Sequence, residues 1–291
     1  MSKNHQISQE NIDPFDVTPF PFQLSKFLIF LALLPFSFPF IFLGTFGGLI
    51  VTFFYRGLSL PNKDRAARIL SWLFKVGTRV KIELKDHNQS RKDHSRLYVS
   101  PHICMAEVNL LMISLGHIRI ITAEFSRTIP IFKHFVEALD PIYVARGKNK
   151  KNAPSAFELL KKSIEETEYR HMIFPEGTYT NGKTLIQFKT GAFALGVPVT
   201  PVVFHYPNYV PFWNRQESNI FTQFYRLMAQ VYTPIIVEIL PTYTPSEEER
   251  TDPKLYAENV RTLMAKATNR PLSDKSLQDS PNYKKDVQSN R

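Results

Sequence analysis

From Phe27 to Tyr55 the chain runs 29 residues without a charged side chain, bounded by Lys26 and Arg56. About 20 apolar residues cross the hydrocarbon core of a bilayer, so a stretch this long and this apolar belongs in lipid rather than inside a soluble domain. The 26 residues before it are polar and include several acids. A cleaved signal would have an apolar core about half as long, so the expected anchor is retained. Pro35, Pro39, Gly44, Gly47 and Gly48 interrupt the run. As one helix it would overshoot the hydrocarbon and tilt; broken between Pro39 and Gly48 it would dip in and return. These breakers favour a re-entrant or two-helix anchor, with one transmembrane helix as the alternative.

The remainder has the composition of a folded body. Hydrophobic residues make up 43% of the 291 and charged residues 21%, which excludes wholesale disorder. The single cysteine, Cys104, permits neither an internal disulfide nor a cysteine-based zinc site. A body facing the cytosol follows, since nothing in it gains from an oxidising compartment. The formal charge of +10 points to an anionic partner: a phosphorylated small molecule, acidic lipid headgroups or nucleic acid. Lys and Arg are dispersed, with no ladder of alternating basic and aromatic residues, so nucleic acid is not expected.

Pro61 to Val80 reads as an amphipathic helix, with Ala66, Ile69, Leu70, Leu73 and Phe74 on one side and Lys63, Asp64, Arg65 and Arg68 facing away. Short β-branched or aromatic runs then alternate with helical stretches. Strands are expected at Arg79 to Leu84, Arg96 to Ser100, Ile118 to Thr122, Pro141 to Ala145, His171 to Phe174, Val199 to His205 and Ile235 to Leu240. Helices are expected at Ala106 to Ser114, Ile131 to Ala138, Pro154 to Tyr169 and Pro253 to Ala267. Strands separated by helices predict a single α/β domain with a largely parallel mixed sheet of about seven strands flanked by helices, preceded by the anchor. The division is therefore a polar segment over 1–26, the anchor over 27–55, the globular domain over 56–270 and a disordered polar tail over 271–291.

Three stretches carry candidate chemistry. In Pro101-His102-Ile103-Cys104-Met105-Ala106-Glu107 the His and the carboxylate are five apart, about 140° around a regular helix, too far to pair if both are helical. Pro101 keeps Ser100 extended, which places His102 on a strand-to-helix turn where its ring can meet Glu107 from the first helical turn. A carboxylate on one imidazole nitrogen leaves the other as a base for an alcohol proton. Arg146, at the carboxyl end of the fourth strand, points a guanidinium fork into the crevice where α/β sheets bind ligands. In His171 to Asn181 a buried strand stops at Pro175 and releases a glycine loop whose hydroxyl and amide side chains, Thr178 to Asn181, can donate to phosphate or substrate hydroxyls. Lys189, shortly after, repeats the anion-binding chemistry.

Gly177 to Thr184 also matches the P-loop pattern, but Leu185-Ile186-Gln187-Phe188 is β-like where a P-loop opens a long helix, so an NTPase is not expected. Asn88-Gln89-Ser90 is a glycosylation sequon that matters only if the body is lumenal.

In order, Pro101-His102 to Glu107, Pro141 to Arg146, Phe174-Pro175-Glu176-Gly177-Thr178 and Gly196-Val197-Pro198-Val199-Thr200-Pro201-Val202 resemble the four motifs of the glycerophospholipid acyltransferase (PlsC-like) family. Tyr206-Pro207-Asn208 and the late stretch from Leu240 to Arg261 are most similar to its lysophosphatidylcholine acyltransferase branch. The resemblance implies transfer of a fatty acyl group from acyl-CoA to the free hydroxyl of a lysophospholipid at a bilayer, without metal or covalent acyl-enzyme. It implies His102 as general base and Glu107 as its orienting partner. Arg146, Glu176, Gly177 and Thr178 would bind the acceptor's glycerophosphate, and Val197 and Pro198 would serve the acyl-CoA side. Lysophosphatidic acid or glycerol-3-phosphate acylation, acyl-CoA hydrolysis and an inactive lipid-binding module are the alternatives. The implied location is the endoplasmic reticulum or another intracellular membrane. The family carboxylate is usually Asp, and Glu107 adds one methylene, about 1.5 Å of reach. Cys104 takes a place often held by Ser and is expected to pack rather than react. No 12-residue calcium loop is visible, so calcium control is not expected.

Overall fold

In the computed structural model the described residues are 12–16, 23–55, 58–103, 107–124, 136–137, 140–145, 154–207, 225, 228–281 and 283, with backbone alone for 44–46, 48–55 and 123. Helix α1 (Leu24–Tyr55) runs unbroken through Pro35 and Pro39. The favoured re-entrant or two-helix form is therefore corrected to the single-helix one. Each proline removes one N–H from the ladder, and the rest of the ladder continues past it. Leu24–Leu43 is long and apolar enough to cross a membrane, and Leu28, Phe36, Phe38 and Phe42 on it are exposed.

Helix α2 (Leu60–Thr78) starts after Ser59 with Pro61 in its first turn, where the missing N–H costs nothing, and ends at Arg79 in the left-handed conformation. It packs along α1: Trp72 meets Phe40 edge to face, and Gly77 lets the two backbones approach, since a Cβ there would lie 2.8 Å from Ile41 Cγ1. The helix is amphipathic, but its buried stripe is Lys63, Ala67, Ser71, Gly77 and Thr78, while Ile69 and Trp72 are exposed. Lys63, expected to face away, is buried and donates to Tyr169 Oη at 2.6 Å, with Asp140 at 3.6 Å. Of the expected apolar side only Ile69 is exposed; Ala66, Leu70, Leu73 and Phe74 are half-buried, Phe74 against the core.

Seven strands form one sheet: β1 (Val80–Asp86), β2 (Leu97–Val99), β3 (Ile118–Ala123), β4 (Ile142–Val144), β5 (Arg170–Ile173), β6 (Thr200–His205) and β7 (Thr233–Ile239). Their spatial order is β1-β7-β6-β2-β5-β3-β4, every neighbouring pair parallel except β6 with β7. Among the described residues the body also has helices α3 (Glu107–Leu115), α4 (Ala156–Glu166), α5 (Glu247–Thr251) and α6 (Pro253–Thr268). Alternate residues of the central strands feed two cores, as the two-residue period of a strand requires. Tyr98, Met172, Val202 and Phe204 pack with Leu111 and Leu115 of α3 and Ala67 of α2. Leu97, Val99, Ile173 and Val203 pack with Leu160 of α4 and Tyr256, Val260 and Met264 of α6. Burial on both faces explains why these strands read as continuous apolar runs. The helix expected at Ile131 to Ala138 falls mostly outside the described residues.

The segment expected to be a disordered tail begins instead as part of the body. Leu185 N donates to Pro271 O at 3.0 Å, Ser273 N to Leu185 O at 2.8 Å and Gln187 N to Lys275 O at 2.9 Å. Composition missed this because the pairing uses main-chain groups, which a polar sequence carries as well as any other. The polar N-terminal segment is also tied down: Asn181 donates through N to Pro14 O at 2.8 Å and through Nδ2 to Asp13 O at 2.7 Å, and Lys275 Nζ lies 3.1 Å from Asp13 Oδ1.

Candidate active site

Because β6, β2 and β5 are adjacent and parallel, their carboxyl ends open on the same edge of the sheet, the edge at which open α/β sheets bind ligands. Beyond β2 the chain passes through Ser100 and Pro101 to His102, which is not helical, and Glu107 is the first residue of α3. That offset solves the five-residue spacing: His102 Nδ1 lies 2.8 Å from Glu107 Oε2. Glu107 is fully buried and also accepts from Ile103 N, at 3.1 Å through Oε1. Tyr206, one residue past β6, donates its hydroxyl to the same Oε1 at 2.9 Å. A buried carboxylate is retained only when donors satisfy it, and here three groups do so. The extra methylene relative to Asp is taken up by the reach back from the start of α3.

The imidazole ring is held from both sides. Phe174, at the end of β5, stacks on it with centroids 3.6 Å apart and planes 15° from parallel, and Tyr179 lies at 3.9 Å, tilted by 31°. With Nδ1 committed to Glu107 and the ring faces covered, the edge carrying Nε2 is what remains, and the side chain is 13% exposed. His117 and His171 lie at the opposite, amino edge of the sheet. Burial pushes them down to about 3 and about 4, so both stay neutral and buried while His102 reaches the open edge.

Glu176 is brought beside the pair. It is fully buried, its Oε2 accepts from His102 N at 3.0 Å and its Oε1 from Ile186 N at 3.3 Å. Both oxygens face the protein's own backbone, so the carboxyl clamps the histidine turn to the following loop. Burial pushes its carboxyl up to about 8, against the pull of those two amides. Gly177 adopts φ +71°, and a Cβ there would lie 2.6 Å from Lys189 Nζ and 2.7 Å from its Cε. The Lys189 stem thus crosses over Gly177, and only glycine offers both the left-handed backbone and the space. Lys189 itself is exposed, while Thr178 on the same loop is buried.

Val197 and Pro198, expected on the acyl-CoA side, are not part of this cluster. They lead into β6, so in a parallel pairing they sit at the amino end of β2: Ser95 Oγ donates to Pro198 O and Tyr256 Oη to Val197 O. His102 leaves β2 at the other end. Arg146 and Cys104 lie outside the described residues. The P-loop reading also ends here, since the segment after Thr184 pairs with 271–275 and does not open a helix. Asn88 of the sequon donates to Leu240 O at 3.0 Å and accepts from Thr242 N at 3.0 Å, a structural use of its amide.

Sequence reasoning missed Phe174, Tyr179 and Tyr206 as parts of the site. Phe174 and Tyr206 stand within stretches that carry the family resemblance, yet neither has a role assigned to it there. The usable signal was position, since each follows a predicted strand end at the edge where the histidine emerges.

Comparison with known proteins follows the same stretch of chain. Residues 81–205 match the family model described as "Acyltransferase". Lysophosphatidylcholine acyltransferase 1 of Danio rerio is 38% identical over 186 residues, 63% of this chain and 36% of that protein. Lysophosphatidylcholine acyltransferase of Drosophila melanogaster is 35% identical over 201 residues, 68% of this chain and 38% of that protein. Lysophosphatidylcholine acyltransferase 1 of Homo sapiens is 32% identical over 202 residues, again 68% and 38%. The chain therefore spans well under half the length of these relatives. The crystal structure of the 1-acyl-sn-glycerophosphate (LPA) acyltransferase, PlsC, from Thermotoga maritima superposes with a TM-score of 0.54 at 18% identity, over 82% of this chain and 98% of its own, which establishes a shared fold.

Proposed function

We propose that the chain is an acyltransferase that transfers a fatty acyl group from acyl-CoA to the free hydroxyl of a lysophospholipid, lysophosphatidylcholine foremost; the match of residues 81–205 to the acyltransferase model and the similarity to lysophosphatidylcholine acyltransferases support this reading. The observation that carries the reading is the His102–Glu107 pair at the carboxyl ends of three neighbouring parallel strands.

In the reaction, His102 Nε2 takes the proton of the acceptor hydroxyl as the oxygen attacks the thioester carbonyl. Glu107 holds Nδ1–H and stabilises the imidazolium that forms, as the acid does in a Ser-His-Asp triad. The new C–O bond forms, the C–S bond breaks, and the proton on Nε2 passes to the departing thiolate. Lys189 beside Gly177, with Thr178 and Arg146, binds the acceptor's phosphate; Val197 and Pro198 support the fold behind the strand rather than touching the reacting atoms. No metal or other cofactor takes part, acyl-CoA being a co-substrate. Helix α1, with the exposed Ile69 and Trp72 of α2, holds the site at the surface of an intracellular membrane, the endoplasmic reticulum or another, with the domain on the cytosolic side. This suits two amphiphilic substrates.

A panel of acceptors against one acyl-CoA tests the reading, with thiol release and phospholipid formation followed together in vesicles. Lysophosphatidylcholine is expected to give the fastest turnover, above lysophosphatidic acid and glycerol 3-phosphate, with little thiol release when no acceptor is present. Thiol release that does not depend on the acceptor would overturn it in favour of a hydrolase.

A further inference from the structure

The carboxylate that steadies the histidine has a second handle. Glu107 presents Oε2 to His102 Nδ1 at 2.8 Å, while Oε1 accepts from Tyr206 Oη at 2.9 Å. Tyr206 directly follows β6, away from the turn that carries both members of the pair, so the carboxylate is gripped from its own turn by Ile103 N and from the end of a neighbouring strand by a phenol. A glutamate side chain has three rotatable bonds where aspartate has two, and fixing it in a single rotamer needs a contact beyond the one to the histidine. Tyr206 supplies that contact on the oxygen that does not face the imidazole.

Resting on the acyltransferase reading of the site, we propose that Tyr206 is a positioning residue for the reaction: its hydroxyl locks the Glu107 carboxylate and tunes how strongly that carboxylate holds His102. Among the described residues the ionisable groups facing the pair are Tyr206 itself, Tyr179 with its ring centroid 3.9 Å from that of His102, Glu176 and, farther off, Arg270. Glu176 is bound by the amides of His102 and Ile186, and Arg270 donates to Phe204 O at 3.1 Å, two residues before Tyr206. The physical consequence has a sign. A donor on Oε1 draws charge away from Oε2; removing it makes the carboxylate a stronger acceptor, raises the affinity of His102 for a proton and loosens the geometry in which that proton is moved.

The test is Tyr206→Phe, which keeps the ring and deletes the hydroxyl, assayed in vesicles with acyl-CoA and lysophosphatidylcholine. Expected are a kcat lower by about tenfold, KM values for both substrates within about twofold, and an acid limb of the pH–rate profile displaced upward by about half a unit. Replacing Tyr206 with 3,5-difluorotyrosine, a stronger donor, moves the same limb downward, and this second protein decides the matter if the phenylalanine variant is unstable. A limb that stays in place in both proteins, or a loss expressed only in KM or melting temperature, would overturn the proposal and leave Tyr206 a packing residue. Failure of the underlying reading looks different: the unmodified protein then transfers no acyl group, or His102→Ala transfers it undiminished.

Discussion

Gly177→Ala places a methyl group where the Lys189 stem now runs. The added carbon would sit 2.6 Å from Nζ, 2.7 Å from Cε and 3.3 Å from Cδ, and the backbone would have to keep φ at +71°. The left-handed conformation costs a non-glycine residue about 1–2 kcal/mol, whereas the clash falls on the far end of a flexible side chain and is relieved by swinging the ammonium away. The stability cost is therefore mainly the backbone term, about 2–8 °C in melting temperature at roughly 2–4 °C per kcal/mol for a domain of this size. The functional cost is the displaced ammonium. If Lys189 grips the acceptor's phosphate, losing that charge-assisted contact raises the KM for lysophospholipid by about tenfold and leaves the KM for acyl-CoA unmoved. Steady-state kinetics on Gly177→Ala, Lys189→Met and the double variant make the test, since both single changes act on one ammonium and their effects on KM are expected to overlap rather than multiply. A KM for lysophospholipid that is unchanged in Lys189→Met, or effects that multiply in the double variant, would refute the reasoning.

Glu176 carries a raised carboxyl, so its protonated form is favoured by folding. The stability it contributes is complete below its ordinary value near 4.5 and is lost as pH climbs through about 8. Thermal melts from pH 5 to 9 should show wild type falling toward Glu176→Gln, by no more than about 1.4 kcal/mol per pH unit for one proton, and parallel curves would exclude the clamp as described. Truncation after Arg270 removes the three backbone hydrogen bonds that 271–275 make with Leu185 and Gln187. At about 1 kcal/mol each this should lower stability by ~3 kcal/mol, measured by chemical denaturation; an unchanged midpoint would mean the pairing carries no weight.

The strands were legible because each is a short β-branched or aromatic run closed by Pro, Gly or a polar residue, and a largely parallel sheet buried on both faces leaves that signature. His102 and Glu107 were legible together because Pro101 fixes where the strand ends, which decides that a five-residue spacing can close. What escaped depends on contacts distant in sequence. Nothing local to Pro271 or Lys275 says that Leu185 and Gln187 will pair with them, nor does anything near Glu176 say that its carboxylate turns inward to two amides. Val197 and Pro198 were assigned by motif alone; the register of β6 against β2 puts them at the edge away from His102. The form of the apolar segment was misjudged because two prolines and three glycines were weighed as breaks, whereas α1 continues through Pro35 and Pro39 as one helix.

The most direct measurement is kcat for His102→Gln against wild type, with vesicle binding recorded on the same samples. The account predicts a fall of about a hundredfold to ten-thousandfold, the usual contribution of a positioned base, with membrane association and melting temperature preserved. Turnover within a few-fold of wild type would mean that another group removes the acceptor's proton, and the histidine held between Phe174 and Tyr179 would not be the centre of the chemistry.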